Sequence, residues 1–200
     1  MKFSLPAALS ALVLTACSEP VAPPATPAPP TTSPVATATA APQPTSPPSP
    51  RSAPATALTA QGFDTIRIDA APADAGYGLA DNGAYQDACR IYASPRLPGL
   101  AVMVDGGRIR RLTLYTSRAG ASPIRTERGI GIGSTEAQVR AAYRPVGEEP
   151  HKYEPAPAKY LNHGEEGVPQ ALRFEIGTDG KVSEIHAGES PWLSYVESCS

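Results

Sequence analysis

Aromatic side chains are scarce in this 200-residue chain: eight Tyr, three Phe and one Trp amount to 6% of it, charged residues to 18%, and the formal net charge is −2. That charge is unevenly placed, with one half of the domain slightly basic and the other acidic. Thr59 to Arg128 holds nine Arg against seven Asp/Glu, and Gly129 onward holds six Arg/Lys against eleven Asp/Glu. Neither half carries the strongly basic stripe that nucleic acid requires, so nucleic acid is not an expected partner. Three Cys without a C-x-x-C spacing exclude a thioredoxin-type redox motif. His151, His163 and His186 lack an H-x-x-x-H spacing, and no metal site is expected from them. There is no G-x-S-x-G nucleophile elbow. The pairs Glu148-Glu149 and Glu165-Glu166 are chain neighbours in Gly- and Pro-flanked segments, where carboxylates are solvated rather than set facing across a cleft. The expectation is therefore no catalytic residue, no cofactor and no enzyme.

What the chain has in excess is proline, and it is placed unevenly. Thirteen of the 24 Pro lie between Pro20 and Pro54. Ahead of them, Met1 to Ala16 has a Lys near its start and a short apolar run ending in small residues, which reads as a secretory signal too short to span a bilayer. Residues 17–58 are built mainly from Pro, Ala, Thr, Ser and Val, a composition that cannot bury enough surface to offset its ordering entropy. That segment is expected to be a disordered tether, reaching on the order of 120 Å if extended at ~3.1 Å per residue. Residues 59–200 remain as one domain.

Within that domain the clearest local signal is Gly129 to Tyr143. Ile130 and Ile132 alternate like a strand and run into a helix start, where Thr135 and Gln138 stand at the spacing of a capping box. Val139, Ala142 and Tyr143 then share one helical face. Gly129-x-Gly131-x-Gly133 lacks the βαβ context and spacing of a dinucleotide fingerprint, so its glycines read as a strand-to-helix turn. Ile66 to Ala75 matches Ile130 to Val139 at an offset of 64. Downstream, Leu100–Val104, Asp105-Gly-Gly107 and Arg108–Leu112 read as a hairpin, and Leu172–Ile176, Gly177–Gly180 and Lys181–Ile185 repeat it. In both returning strands the apolar pair is three apart, Ile109/Leu112 and Val182/Ile185, which predicts a bulge in each. The aromatic segments Tyr85–Tyr92 and His151–Leu161 are expected as the first strand of each meander. The predicted fold class is thus α+β: two tandem units, about 60–128 and 129–200, each a short helical start followed by a three-stranded antiparallel β-meander.

Two resemblances add to this reading. Leu14-Thr15-Ala16-Cys17 is similar to the lipobox of bacterial lipoproteins, which implies cleavage before Cys17 and acylation of Cys17. Ser18 rather than Asp after it implies the outer membrane. The membrane is then a partner through the acylated Cys17, and the protein is expected to be lipid-anchored there. Gly133-x-Thr135-x-x-Gln138-Val-Arg140 resembles the helix-opening signature of the small outer-membrane lipoproteins of the SmpA/OmlA (BamE-like) group. Two such units in tandem resemble the beta-lactamase inhibitory protein fold, which implies a protein-binding, assembly or inhibitor-type role.

With Cys17 assigned to lipid, Cys89 and Cys199 are left to form one disulfide in an exported domain. The expected function is a non-catalytic envelope lipoprotein that binds an envelope protein. Its alternative is an envelope glycan or lipopolysaccharide ligand, held by Tyr92, Tyr115, Tyr153, Tyr160 and an arginine strip of Arg108, Arg110 and Arg111.

Overall fold

A computed structural model of the chain describes residues 56–84 and 88–199. The signal segment, Cys17, nearly all of the tether and Tyr85 lie outside the described residues. The domain opens on three short strands, β1 (Leu58–Thr59), β2 (Gly62–Phe63) and β3 (Ile66–Arg67), paired in the order β1-β2-β3. It then builds one eight-stranded antiparallel sheet. The strands of its first half are β4 (Ala80–Ala84), β5 (Arg90–Ala93), β6 (Leu100–Asp105) and β7 (Arg108–Leu114). A small β8–β9 hairpin, Thr116–Ser117 with Gly120–Ala121, leads to α1 (Glu136–Ala142). The second half follows as β10 (Gly147–Pro150), β11 (Lys159–Gly164), β12 (Gln170–Ile176) and β13 (Val182–Glu189). Spatial order is β10-β11-β12-β13-β7-β6-β5-β4, so the last strands of the two halves meet at the centre.

This corrects the expected pair of helix-plus-three-strand units. The strands form one continuous, mostly β architecture, and α1 is the one α-helix among the described residues. The difference at the first expected helix has a local cause. Residues 72–75 form only a single 3-10 turn, because Ala71 at its N-cap offers no side-chain acceptor, Pro72 follows, and Gly76 at φ +70° ends it. At α1, by contrast, Thr135 accepts from the Gln138 N–H at 3.3 Å and the Thr135 N–H donates to Gln138 Oε1 at 2.8 Å. The box predicted from sequence is therefore formed. Replacing Thr135 by Ala is expected to cost about 1 kcal/mol, read as a lower denaturation midpoint at unchanged m-value.

The strand number differs as well. Edge strands β4 and β10 were not expected, since Ala-Asp-Asn-Gly-Ala and Gly-Glu-Glu-Pro carry neither β-branched residues nor apolar alternation. All four residues of β10 are exposed, and its two Glu and its Pro are the residues with which edges resist further pairing. Pro155 and Pro157 fall before β11 begins at Lys159, so they shape the approach to that strand rather than its ladder.

The two hairpins do carry the predicted bulges. Met103 faces Arg111 while Val104 faces Ile109, leaving Arg110 extra; Glu175 faces Glu184 while Ile176 faces Val182, leaving Ser183 extra. Each bulge returns the next apolar residue to the core face. Ile109, Leu112, Val182 and Ile185 are accordingly all buried there, at about 1.5–3 kcal/mol of transfer free energy for each full burial. Onto the same face pack Leu58, Phe63 and Ile66 from the small sheet, Val139 from α1 and Tyr143 just past its C-terminal end.

The halves join where β13 pairs with β7, from Ile185↔Leu114 to Gly188↔Arg111. Gly188 is required at this seam. A Cβ there would stand 2.4 Å from the Arg110 carbonyl oxygen and 3.1 Å from the Arg111 Cα, both backbone atoms of the paired strand. A Gly188→Ala variant is expected to lose about 1–3 kcal/mol in equilibrium urea unfolding, because the strands must separate to admit the methyl group.

Candidate functional site

Strand alternation places a second set of residues on the face opposite the core. Register lines them up in rows across the sheet. Tyr160, Glu175 and Glu184 form one row, and Asn162, Arg173, His186 and Thr113 the next. Arg111 lies one row beyond, between Gly188 and Met103. Arg111, Arg173 and His186 are buried at 2%, 6% and 6% exposure, so this face holds charge away from water and must satisfy it internally.

It does so by interlocking contacts. Arg173 stacks its guanidinium 3.8 Å over the Tyr160 ring and pairs with Glu149 at 3.2 Å. His151 lies against the same ring, with centroids 4.7 Å apart. Its Nδ1 accepts from the Tyr153 and Glu154 N–H groups at 3.2 and 2.9 Å, which puts the ring proton on Nε2, and Nε2 donates to Glu175 at 2.8 Å. His186 sets its Nδ1 3.0 Å from Thr113 Oγ1 and its Nε2 3.6 Å from both Glu175 and Glu184.

The ionisation of this cluster follows from its burial. Desolvation, with the Glu175 charge opposite it, pushes Glu184 up to about 7, against a smaller pull from Arg111. Glu175 moves the other way. Burial opposes its ionisation, but contact with His186 and His151 outweighs that and holds it below the usual carboxylate range. Burial lowers His186, favouring neutral imidazole, and lowers Arg111 to about 10, still protonated at neutral pH.

A C-terminal segment covers part of this face. Arg111 donates to the carbonyl of Trp192 at 3.0 Å and also to that of Tyr195. Trp192 donates its indole N–H to Asp105 at 2.9 Å, and Arg110 lies 4.6 Å over the Trp192 ring. The segment ends at Cys199, paired with Cys89 at a Cα separation of 5.6 Å, which is the pairing expected from sequence. Tyr153 Oη donates to Glu197 from the other side.

Beside the cluster opens a cleft of about 380 Å³, lined among others by Tyr115, Glu154, Glu175, Asp179, Lys181 and Glu184. Four carboxylates against one Lys make it an acidic surface, suited to a cation or a basic side chain.

The residues proposed from sequence as a binding surface are dispersed by the fold. Tyr92 is half-buried against the core, Tyr160 is buried at 3%, and Tyr115 forms part of the cleft wall. Tyr153 is 59% exposed. Within the arginine strip, Arg108 is exposed and donates to the Asp69 carbonyl at 2.8 Å, whereas Arg110 pairs with Asp69 and Glu189 at 3.0 and 2.9 Å, and Arg111 is engaged with the tail. Cys17 lies outside the described residues. Sequence spacing did not single out Glu175, Glu184, His151, His186 or Tyr195. The signal that finds three of these is the hairpin register, which sets Glu175, Glu184 and His186 on one face.

No protein-family profile matches the chain, and no curated protein matches it in sequence. Among solved structures it is similar to the uncharacterized protein yfeY from Escherichia coli, at 19% identity and a TM-score of 0.36, over 67% of this chain and 100% of that one.

Proposed function

We propose that the protein is a non-catalytic lipoprotein of the cell envelope, held on the outer membrane through an acylated Cys17 and displaying its folded domain on a proline-rich tether to bind another envelope protein. The observation that carries this reading is an exposed aromatic surface. Among the described residues, Tyr153 at 59% and Tyr195 at 37% are the large hydrophobic side chains that stand open to solvent. They come from segments far apart in the chain, and Tyr153 Oη donates to Glu197, two residues along from Tyr195. Tyrosines held in place in this way supply contact area at low entropic cost, the property that enriches them at protein interfaces. The Cys89–Cys199 pair supports an oxidising, exported setting.

An envelope glycan or lipopolysaccharide ligand has less behind it. Of its three arginines, Arg110 and Arg111 already have partners inside the domain, and the cleft beside Glu175 and Glu184 is acidic.

The test is crosslinking in the cell from a photoreactive residue placed at position 153. A discrete protein adduct that disappears when the same residue is placed at the opposite edge, at position 82, supports the reading; no adduct above background counts against it. Membrane fractionation tests the address. A Cys17→Ala form is expected to leave the outer-membrane fraction, and its retention there contradicts the anchor.

A further inference from the structure

Glu175, Glu184 and His186 aim one donor atom each at a common point. Their donors all lie within 4.8 Å of one another, and the His186 Nε2 stands 3.6 Å from each carboxylate. That distance is too long for a hydrogen bond. It is close to the roughly 3.3–3.5 Å that separates ligands around a tetrahedral ion with bonds of ~2.0–2.2 Å. His186 is 6% exposed, and its Nε2 is directed at both carboxylates from the buried side of the cluster. Its other nitrogen is fixed on Thr113 Oγ1 at 3.0 Å, the kind of outer contact that orients a ligating imidazole.

The carboxylates present the same geometry from their side. Glu175 and Glu184 are directly opposite on paired strands, an arrangement that like charges disfavour unless a cation or proton lies between them. His151 donates its Nε2–H to Glu175 Oε1, leaving Oε2, the oxygen nearer His186, free to ligate.

We propose that Glu175, Glu184 and His186 form a binding site for one divalent transition-metal ion of the zinc type. A nitrogen with two carboxylates favours zinc and its neighbours over magnesium or calcium, which prefer all-oxygen shells. The ion enters from the acidic cleft, where the Glu184 side chain is 40% exposed and Glu154 and Asp179 add negative charge. A water from the cleft completes the fourth position. The nearest cations, Arg111 and Arg173, temper the affinity, but both are committed elsewhere, to the tail carbonyls and to Glu149 with Tyr160. This site does not depend on the protein partner proposed above.

The experiment uses the full chain, purified in detergent and stripped with chelator. Titration calorimetry with zinc is expected to give one site per chain, with a saturable rise in melting temperature that magnesium does not produce. Cobalt substitution is expected to give the visible absorption of a four-coordinate ion. Glu184→Gln, at a partly exposed position that the fold tolerates, is expected to weaken zinc binding at least tenfold and to remove the cobalt band, while Glu165→Gln in a distant loop changes neither. Absence of a zinc-dependent heat and thermal shift overturns the proposal. So does a Glu184→Gln protein that binds zinc as the parent does, which places the ion elsewhere.

Discussion

Replacing Cys89 and Cys199 together by Ala is expected to lower the unfolding free energy by about 4–5 kcal/mol. The pair closes a loop with a sequence separation of 110, and on the chain-entropy account a closed loop of ~100 residues restricts the unfolded ensemble by about 4.7 kcal/mol. The bond also joins the first half of the sheet, ahead of β5, to a segment that packs on the second half, at β13 and β12, and on β7. Its loss therefore releases the strap that supplies the carbonyl partners of the buried Arg111. Urea unfolding of the parent with and without reductant, beside the double variant, measures the effect. Reductant is expected to bring the parent down to the variant and to leave the variant unchanged; equal stability of all three contradicts the assignment.

Phe174→Ala is expected to be comparably severe, at about 3–5 kcal/mol. Phe174 is fully buried on β12, its ring 5.0 Å from that of Tyr143 at the end of α1, with Leu161 and Ile185 directly across on the neighbouring strands. It thus stands where helix and sheet meet, and little of the surrounding backbone is free to close over the void. Phe174→Leu, which keeps most of the volume, is expected to lose under half as much. Similar losses for the two variants in the same unfolding measurement would show that the site relaxes, against the rigid packing described here.

How far the chain could be read without its coordinates depended on what kind of contact each feature needs. Local features were legible. The capping box at Thr135 and Gln138 is formed within one turn, and the two hairpins with their bulges at Arg110 and Ser183 follow from apolar spacing between adjacent strands. Features set by long-range pairing were not. Nothing in β4 or β10 marks a strand, because an exposed edge needs neither apolar alternation nor β-branching. The seam between β13 and β7 joins residues 71 to 77 positions apart in the chain and leaves only Gly188 as a trace. The offset of 64 between Ile66 and Ile130 suggested two equal units, yet Pro72 and Ala71 leave the first without a helix.

The same division holds for the site. Sequence places Tyr160 and Arg111 among surface-binding residues, but each lies on a sheet face that other parts of the chain cover: Arg111 beneath the tail, Tyr160 between His151 and Arg173. Glu175, Glu184 and His186 fit no short motif because their proximity comes from register across a hairpin. Extending the apolar alternation of β12 and β13 to the residues between would have placed all three on the polar face. Tyr195 and Trp192 had no signal, since the tail acquires its position from Cys199 and from Arg111.

The proposed tyrosine surface is tested most directly by the affinity of the protein recovered by crosslinking at position 153 for the full chain and for its Tyr153→Ala, Tyr195→Ala double variant. Both side chains are exposed, so the variant is expected to keep the parent's melting temperature. Its affinity is expected to fall at least tenfold, the loss of about 1.4 kcal/mol or more that aromatic anchors at an interface produce. Unchanged affinity in a folded double variant would contradict the proposed binding face.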